Sequence, residues 1–232
     1  YRGHPAVHHL SGAFAAGSLT AVVGANGAGK TTLLAGIMGT LAPVEGEVVR
    51  ADPKARIAWL PQQSAIERSF PISVFDLVAL GHWQRAGSFR SIRTREREQV
   101  GEALAAVGLA GFERRPIGEL SAGQFQRVLF ARTMLQDAPV ILLDEPFNAI
   151  DARTTADLLA VIRGWHAEGR TVIAVLHDLV LVLEHFPEAL LLARRCVAWG
   201  PAADALSADN LLRARQMAEA WDEHADLCEA AA

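Results

Sequence analysis

The sequence predicts an α/β fold, with a mixed β-sheet flanked by helices and a helical subdomain inserted into that core. Apolar runs typical of buried strands alternate with helical patterns along most of the 232 residues. A glycine-rich loop joins the first predicted strand to the first predicted helix. The block from about residue 64 to residue 136 contains three helical patterns and no convincing strand. We therefore expect one domain over residues 1–232, with the helical subdomain at approximately 64–136.

Each element follows from the local pattern. Short apolar runs bounded by turn residues predict strands, and apolar residues spaced three and four apart predict helices. The predicted strands are Leu19–Val23, Glu47–Arg50, Arg56–Leu60, Val140–Leu143, Arg170–Leu176, Ala189–Ala193 and Cys196–Trp199. The predicted helices are Thr31–Leu41, Ser73–Leu80, Thr94–Val107, Ala122–Gln136, Arg153–Glu168 and Asp209–Ala220.

Composition excludes several classes of protein. A net charge of −4 argues against a nucleic-acid-binding protein, which would show a basic face. The longest apolar candidate for a membrane span, Thr171–Leu192, is interrupted by charged residues and a proline. Cys196 and Cys228 have neither disulfide nor metal-ligand spacing, and no signal peptide is visible. We expect a protein of the reducing cytoplasm that is soluble or peripheral to a membrane.

The loop Gly24–Thr31 fits the pattern G-x-x-x-x-G-K-[ST] and lies between an apolar strand and a helix. Its backbone N–H groups would face the phosphates of a nucleoside triphosphate, Lys30 would supply a positive charge, and the Thr31 hydroxyl would bind Mg²⁺. The alternative is a glycine-rich turn before an ordinary helix. The residues expected around the nucleotide are Gly24, Ala25, Asn26, Gly27, Ala28, Gly29, Lys30, Thr31 and Thr32.

Three further side chains follow apolar strands. Asp144 and Glu145 come directly after Val140–Leu143, so Asp144 is a candidate Mg²⁺ ligand and Glu145 is a candidate to orient the attacking water. His177 follows Arg170–Leu176 and could hydrogen-bond the γ-phosphate. The alternatives are two solvated acids at the end of a strand and a structural histidine.

The segment Leu120–Gln124 reads Leu-Ser-Ala-Gly-Gln and closely resembles the LSGGQ signature of ABC ATPases. The resemblance covers nearly the whole chain. The phosphate loop matches the Walker A motif, Val140–Glu145 the Walker B motif, Asn148–Asp151 the D-loop and His177 the switch histidine. It implies the ABC nucleotide-binding domain, a RecA-like P-loop core with an inserted helical subdomain.

The resemblance also implies roles for residues that their chemistry alone does not assign. Gln62 matches the Q-loop glutamine, which the family ties to Mg²⁺ and to movement of the helical subdomain, although Gln63 is an alternative. Tyr1 matches the aromatic residue that stacks on adenine, and a packing role is the alternative. ATP and Mg²⁺ are the implied cofactors. Glu145, His177, Gln62 and Lys30 are the implied catalytic residues.

In the family, two copies meet head to tail and each completes the ATP site of the other. Ser121 can cap the helix that follows, and Gly123 exposes N–H groups at a positive helix end, which makes a second anion site. The resemblance therefore places Ser121, Gly123, Gln124 and Asp151 against the nucleotide of a partner copy. The chain departs from the family pattern at Ala122, which replaces the first signature glycine, and at Asn148, which replaces the commoner serine.

Three classes of ABC protein remain: the ATPase subunit of a transporter, a soluble protein of DNA repair or chromosome structure, and a translation-type protein. The second class carries long insertions between the two halves, and Gln62 to Leu120 leaves no room for one. The third needs two such domains and a basic linker. We expect the transporter subunit, working as a homodimer on a separate integral-membrane permease at the cytoplasmic face of the inner membrane, with a substrate-binding protein as an indirect partner.

The segment Phe70–Gly81 resembles the stretch after the Q-loop in zinc and manganese importers. We expect import of a divalent metal, zinc first and manganese second, with iron-chelate, haem or cobalamin import as the alternative. Three other clusters are not interpreted as metal or nucleic-acid sites. His4, His8 and His9 are interpreted as a solvated surface, and His224 with Cys228 are too few groups for a zinc site. The arginine-rich stretch Arg85–Arg97 is interpreted as a solvated face or a contact with the transporter rather than a nucleic-acid site.

Overall fold

The computed structural model describes residues 5–83 and 92–219. Tyr1, His4, His224 and Cys228, as well as residues 85–91 of the arginine-rich stretch, lie outside these ranges. The chain divides into two compact units. The first draws on Tyr1–Pro53 and Val175–Ala232, and the second is Lys54–Ala174.

The strands are β1 Leu19–Val23, β2 Ile57–Leu60, β3 Val140–Asp144, β4 Thr171–Val175, β5 Glu188–Ala193 and β6 Arg195–Pro201. The helices are α1 Lys30–Met38, α2 Val74–Ala79, α3 Thr94–Ala106, α4 Ala122–Gln136, α5 Ala152–Ala167, α6 Leu179–His185, α7 Ala202–Ala205 and α8 Ala208–Glu219. Short 3₁₀ turns occupy Gln63–Ala65, Leu80–His82 and Ile117–Glu119.

In the first unit, β1 lies beside β5. The two strands pair in parallel from Thr20 with Glu188 to Val23 with Leu191, and β5 pairs antiparallel with β6. All five residues of β1 are buried, as expected of a strand covered on both faces. The Thr20 hydroxyl donates to the Glu188 carboxylate at 3.0 Å. The pairing of Val23 with Leu191 positions the carboxyl end of β1, where the glycine-rich loop begins.

In the second unit, β2 and β3 pair in parallel, from Ile57 with Val140 to Leu60 with Leu143. Helix α4 packs against α2, α3 and β2. Its buried residues include Phe130, whose ring stacks on Trp165 of α5 at a centroid distance of 6.0 Å. The Gln136 side chain at the end of α4 accepts a hydrogen bond from the Trp59 N–H at 2.7 Å. Helix α4 therefore runs through the core of this unit.

The predicted helical block contains α2, α3 and α4, and no named strand begins or ends in the described part of residues 64–136. An isolated bridge joins Ser73 and Pro116. The extent of a helical subdomain at 64–136 stays a prediction.

One predicted strand is wrong. Residues 47–50 are irregular, with Val49 77% exposed, and the Arg50 guanidinium donates to the Ile37 carbonyl at 2.8 Å. The two valines gave the segment its strand-like composition, but their exposure shows that they do not form a buried face. Helix α6 was missed, since its apolar sequence lacks polar residues at helical spacing. Among the described residues, no helix has both the length and the apolar character needed to cross a membrane.

Candidate functional site

The glycine-rich loop after β1 adopts a close turn that side chains would obstruct. A Cβ atom at Gly24 would overlap the carbonyl oxygen of Leu192. Gly29 has φ = 93°, in the left-handed region, and a Cβ there would lie 2.5 Å from the Ala6 carbonyl oxygen. The Arg194 N–H donates to the Ala28 carbonyl at 3.0 Å and fixes the outer side of the loop. Both glycines are therefore required by the fold of the loop itself.

Lys30 lies at the first position of α1 and is only 7% exposed. Its ammonium group donates to the carbonyl oxygens of Gly24 at 2.7 Å and Ala25 at 2.9 Å. The positive charge is thus held beside the loop by the loop's own backbone. This is a preorganised arrangement for an anion, because a long flexible side chain is already ordered.

Helix α1 begins without a side-chain cap, because Gly29 occupies the N-cap position. The first N–H groups of a helix have no partner within the helix and carry its positive dipole end. Thr31 and Thr32 lie in this first turn, and Thr31 is exposed. The loop and the helix start together make an arrangement that binds phosphate groups.

His177 belongs to the same unit as the loop. The Leu176 N–H donates to the Val22 carbonyl at 3.1 Å. Leu176 directly precedes His177, and Val22 lies two residues before Gly24, so this bond joins the two chain segments close to both residues. The His177 side chain is exposed, and Asp178 accepts hydrogen bonds from Val180 and Leu181 to start α6. The structure therefore brings the sequence-predicted histidine to the strand end that carries the glycine-rich loop.

The second unit carries the acidic residues. Asp144, the last residue of β3, is 1% exposed. The next residue, Glu145, has φ = 52°, so the chain turns sharply there. The carboxylate of Glu145 accepts a hydrogen bond from Gln62 Nε2 at 2.8 Å and another from Asn148 Nδ2 at 3.3 Å. Gln62 and Glu145, which sequence analysis selected separately, are thus in direct contact.

Gln126 is a residue that sequence analysis did not select as a site residue. It is 1% exposed, and its Nε2 donates to the carbonyl oxygens of Pro146 at 2.9 Å and Glu145 at 3.3 Å. Its own Oε1 is buried without a hydrogen-bond partner. A glutamine between the buried residues Phe125 and Val128 of α4 was the available signal, because a fully buried amide needs a partner.

The signature segment forms the start of α4. The Ser121 hydroxyl accepts from the Gln124 N–H at 3.2 Å, and the Gln124 side chain accepts from the Ser121 N–H at 3.0 Å, which completes a capping box. Arg68 donates to the Leu120 carbonyl and lies 4.9 Å from the centre of the Phe125 ring. Arg68 therefore stabilises the signature segment through its contacts with Leu120 and Phe125, and these contacts were not predicted.

A cavity of about 400 Å³ opens beside the signature segment. Asp151 lies at its edge as the N-cap of α5, where it accepts hydrogen bonds from the N–H and hydroxyl groups of Thr154. These bonds lower the pKa of the Asp151 carboxyl, and the bond from the Thr154 N–H has the larger effect. The cavity is lined by Ser121, Ala122, Gly123, Gln124, Arg127, Ala149, Ile150 and Asp151. The signature and D-loop residues thus share one surface of the second unit.

A strand, a glycine-rich loop with an ordered lysine and an uncapped helix start define a P-loop nucleotide-binding protein. The family model for ABC transporters matches residues 7–148, which is more than half of the chain. The protein belongs to the ABC transporter family, as an ATPase that binds adenine nucleotides. The predicted α/β P-loop fold and the resemblance to ABC ATPases are confirmed.

Relatives share most of the chain. The manganese transport system ATP-binding protein MntB of Listeria monocytogenes is 39% identical over 206 residues, 87% of this chain and 86% of that protein. The zinc transport system ATP-binding protein TroB of Treponema pallidum is 38% identical over 219 residues, 92% and 82% of the two chains. A solved structure described as a metal-chelate type ABC transporter, in an inward-facing conformation, has a TM-score of 0.76 and 28% identity, covering 86% of this chain and 78% of that one.

Proposed function

We propose that this protein is the ATP-hydrolysing subunit of an importer for a divalent transition metal, either manganese or zinc. The observation that carries the proposal is the 39% and 38% identity to a manganese and a zinc transport ATPase over at least 87% of the chain. The resemblance of Phe70–Gly81 to metal importers supports it. Two such similar identities do not rank the metals, so the order zinc before manganese stays a prediction.

The phosphate loop binds the triphosphate of ATP. Residues 24–32 supply backbone donors, Lys30 its charge, and Tyr1 the ring that stacks on adenine. The order already present in the Lys30 side chain supports this role, because less conformational entropy is lost when phosphate binds.

Hydrolysis depends on an acid and a histidine. Glu145 orients and polarises the attacking water, while His177 donates a hydrogen bond to the γ-phosphate as negative charge develops there. The Thr31 hydroxyl, the Gln62 amide oxygen and the Asp144 carboxylate are hard oxygen donors of the kind Mg²⁺ prefers, so the residues present fit that ion. When bound, Mg²⁺ neutralises phosphate charge. Gln62 contacts Glu145 in this structure, which supports a shared role for the two side chains.

Two copies assemble head to tail around ATP. Ser121, Gly123, Gln124 and Asp151 contact the nucleotide held by the phosphate loop of the partner copy. The open cavity beside the capped start of α4 supports this role, since a helix start favours anions and the cavity leaves its surface accessible. The dimer docks on an integral-membrane permease at the cytoplasmic face of the membrane, and a substrate-binding protein delivers the metal.

Metal content of cells tests the transported cargo. In a host without its own copy of this subunit, we expect the wild-type chain to restore manganese or zinc content in medium poor in that metal, and Lys30→Ala to fail. Lys54→Ala removes the other lysine, which is exposed, and serves as the matched control that still restores uptake. Elemental analysis in manganese-poor and zinc-poor media identifies the metal. Unchanged content of both metals, with growth restored by iron chelate, haem or cobalamin, would assign the chain to chelate importers.

A further inference from the structure

The turn after β3 holds Glu145 in a backbone conformation that non-glycine residues rarely adopt. Glu145 has φ = 52°, and the Asn148 N–H closes the turn by donating to the Glu145 carbonyl at 3.2 Å. A left-handed glutamate is strained, and such a residue persists only where its surroundings hold it. The contacts around this turn therefore determine where the Glu145 carboxylate lies.

The backbone of the turn is fixed by α4. Gln126 is buried and donates to the carbonyl oxygens of Pro146 and Glu145 at 2.9 and 3.3 Å. This contact restrains the Cα position of Glu145. It leaves the direction of the flexible Glu145 side chain undetermined.

Two amide groups restrain that direction. Gln62 Nε2 and Asn148 Nδ2 both donate to Glu145 Oε2, at 2.8 and 3.3 Å. Gln62 belongs to a different segment of the chain. Asn148 lies only three residues after Glu145 on the same turn, and its own N–H closes that turn, so the turn itself holds its amide beside the carboxylate.

We propose that Asn148 is a positioning residue that aims the Glu145 carboxylate at the attacking water. The inference rests on the proposed role of Glu145. A neutral amide can orient a carboxylate without adding charge to the site. Because the contact lies at the acid rather than at the phosphate loop, its loss should lower kcat and leave nucleotide affinity unchanged.

Three substitutions of this exposed residue separate its hydrogen bond from its size. Asn148→Ala removes the donor, and we expect kcat of the full-length protein with Mg-ATP to fall about ten-fold. Asn148→Asp keeps the size but offers only acceptor oxygens and a like charge, so kcat should fall at least as far. Asn148→Gln restores an amide donor on a longer arm and should recover most of the turnover. Nucleotide affinity, measured by titration, should stay within two-fold of wild type in all three variants.

Two controls make the result specific. Asn210→Ala removes a partly exposed asparagine amide from α8, outside the proposed machinery, and should leave kcat unchanged. Adding Asn148→Ala to Glu145→Gln should cause no further loss, because both changes act on one group. Near-normal kcat in Asn148→Ala or Asn148→Asp, a loss confined to affinity, or an additive loss in the double variant would each overturn the inference. Normal turnover in Glu145→Gln would instead refute the proposed role of Glu145, and this inference with it.

Discussion

Lys30 is a single side chain whose removal tests the nucleotide site. Its ammonium lies 2.7 and 2.9 Å from two carbonyl oxygens of the loop, and Lys30→Ala removes this charge. We expect ATP affinity to fall about ten-fold or more, because charge-assisted hydrogen bonds to phosphate are lost. The stabilisation that ATP gives to the folded protein should then fall by about 1.4 kcal/mol at a fixed saturating concentration. Thermal unfolding at increasing ATP concentrations measures both quantities.

Lys54→Ala is the matched control for this measurement, since it removes the same side chain from an exposed position. Its ATP-dependent stabilisation should equal that of wild type. If Lys30→Ala also keeps full stabilisation, the nucleotide binds away from the loop.

At the scale of single residues, sequence indicates a site where local chemistry dictates residue type and spacing. The glycines and Lys30 could be predicted because a phosphate loop needs those residues within eight positions. Gln126 and Arg68 could not be predicted as supports, since their partners lie 20 and 52 residues away in the chain. The left-handed conformation of Glu145 was equally invisible, because glutamate has no preference for it.

Among the helices, α5 depends on its N-cap, Asp151. The Thr154 N–H and hydroxyl groups stabilise the ionised carboxylate, and the pKa of Asp151 is lowered in the folded protein. A lowered folded-state pKa contributes stability that is present above the unfolded pKa and is lost as pH falls through the folded pKa. We expect Asp151→Ala to lower Tm at neutral pH and this deficit to shrink as the medium is acidified below the ordinary aspartate range. Thermal unfolding from neutral to acidic pH measures it.

Two variants on α5 serve as controls for the role of the charged N-cap. Asp151→Asn keeps a capping oxygen and should retain most of the neutral-pH stability. Asp157→Ala removes an exposed carboxylate from the same helix outside the cap, and should show no comparable Tm loss. A deficit in Asp151→Ala that persists unchanged in acid would rule out the charged cap as its source.

At the scale of elements, the hydrophobic pattern predicted strands and helices correctly where packing buries an apolar face, and it failed elsewhere. The strand Leu19–Val23 and the helix Ala122–Gln136 were predicted at their observed bounds, since each has a continuous apolar surface that the fold buries. The strand at residues 47–50 was wrong, because exposed valines have strand propensity without a buried face. Helix α6 begins at the Asp178 cap within an apolar run, where the period gave no signal.

For the whole molecule, ATP should hold two copies together when hydrolysis is blocked. Glu145→Gln removes the carboxylate that we propose orients water, and we expect hydrolysis to fall about a hundred-fold or more while ATP still binds. In the proposed dimer, the triphosphate is then retained between the phosphate loop of one copy and the signature segment of the other, so the dimer should accumulate. Light scattering with Mg-ATP should show a doubled mass, and nucleotide-free protein should remain monomeric. A monomer at saturating ATP would contradict the head-to-tail assembly.

The head-to-tail arrangement itself makes a sharper prediction, which mixing two defective variants can test. In the Glu145→Gln background, Lys30→Ala disables the phosphate loop, and Ser121→Glu disables the signature segment by placing a negative charge against phosphate. A glutamate at the start of α4 also interacts favourably with the positive end of the helix dipole, so this variant should fold. Neither protein alone should dimerise with ATP, because every pair then has two defective sites. In a mixed pair, the altered phosphate loop of one copy meets the altered signature segment of the other, and the second site combines two intact parts. The mixture should therefore form heterodimers that bind one ATP instead of two. Dimers in either variant alone, or none in the mixture, would show that the signature segment of one copy does not complete the phosphate site of the other.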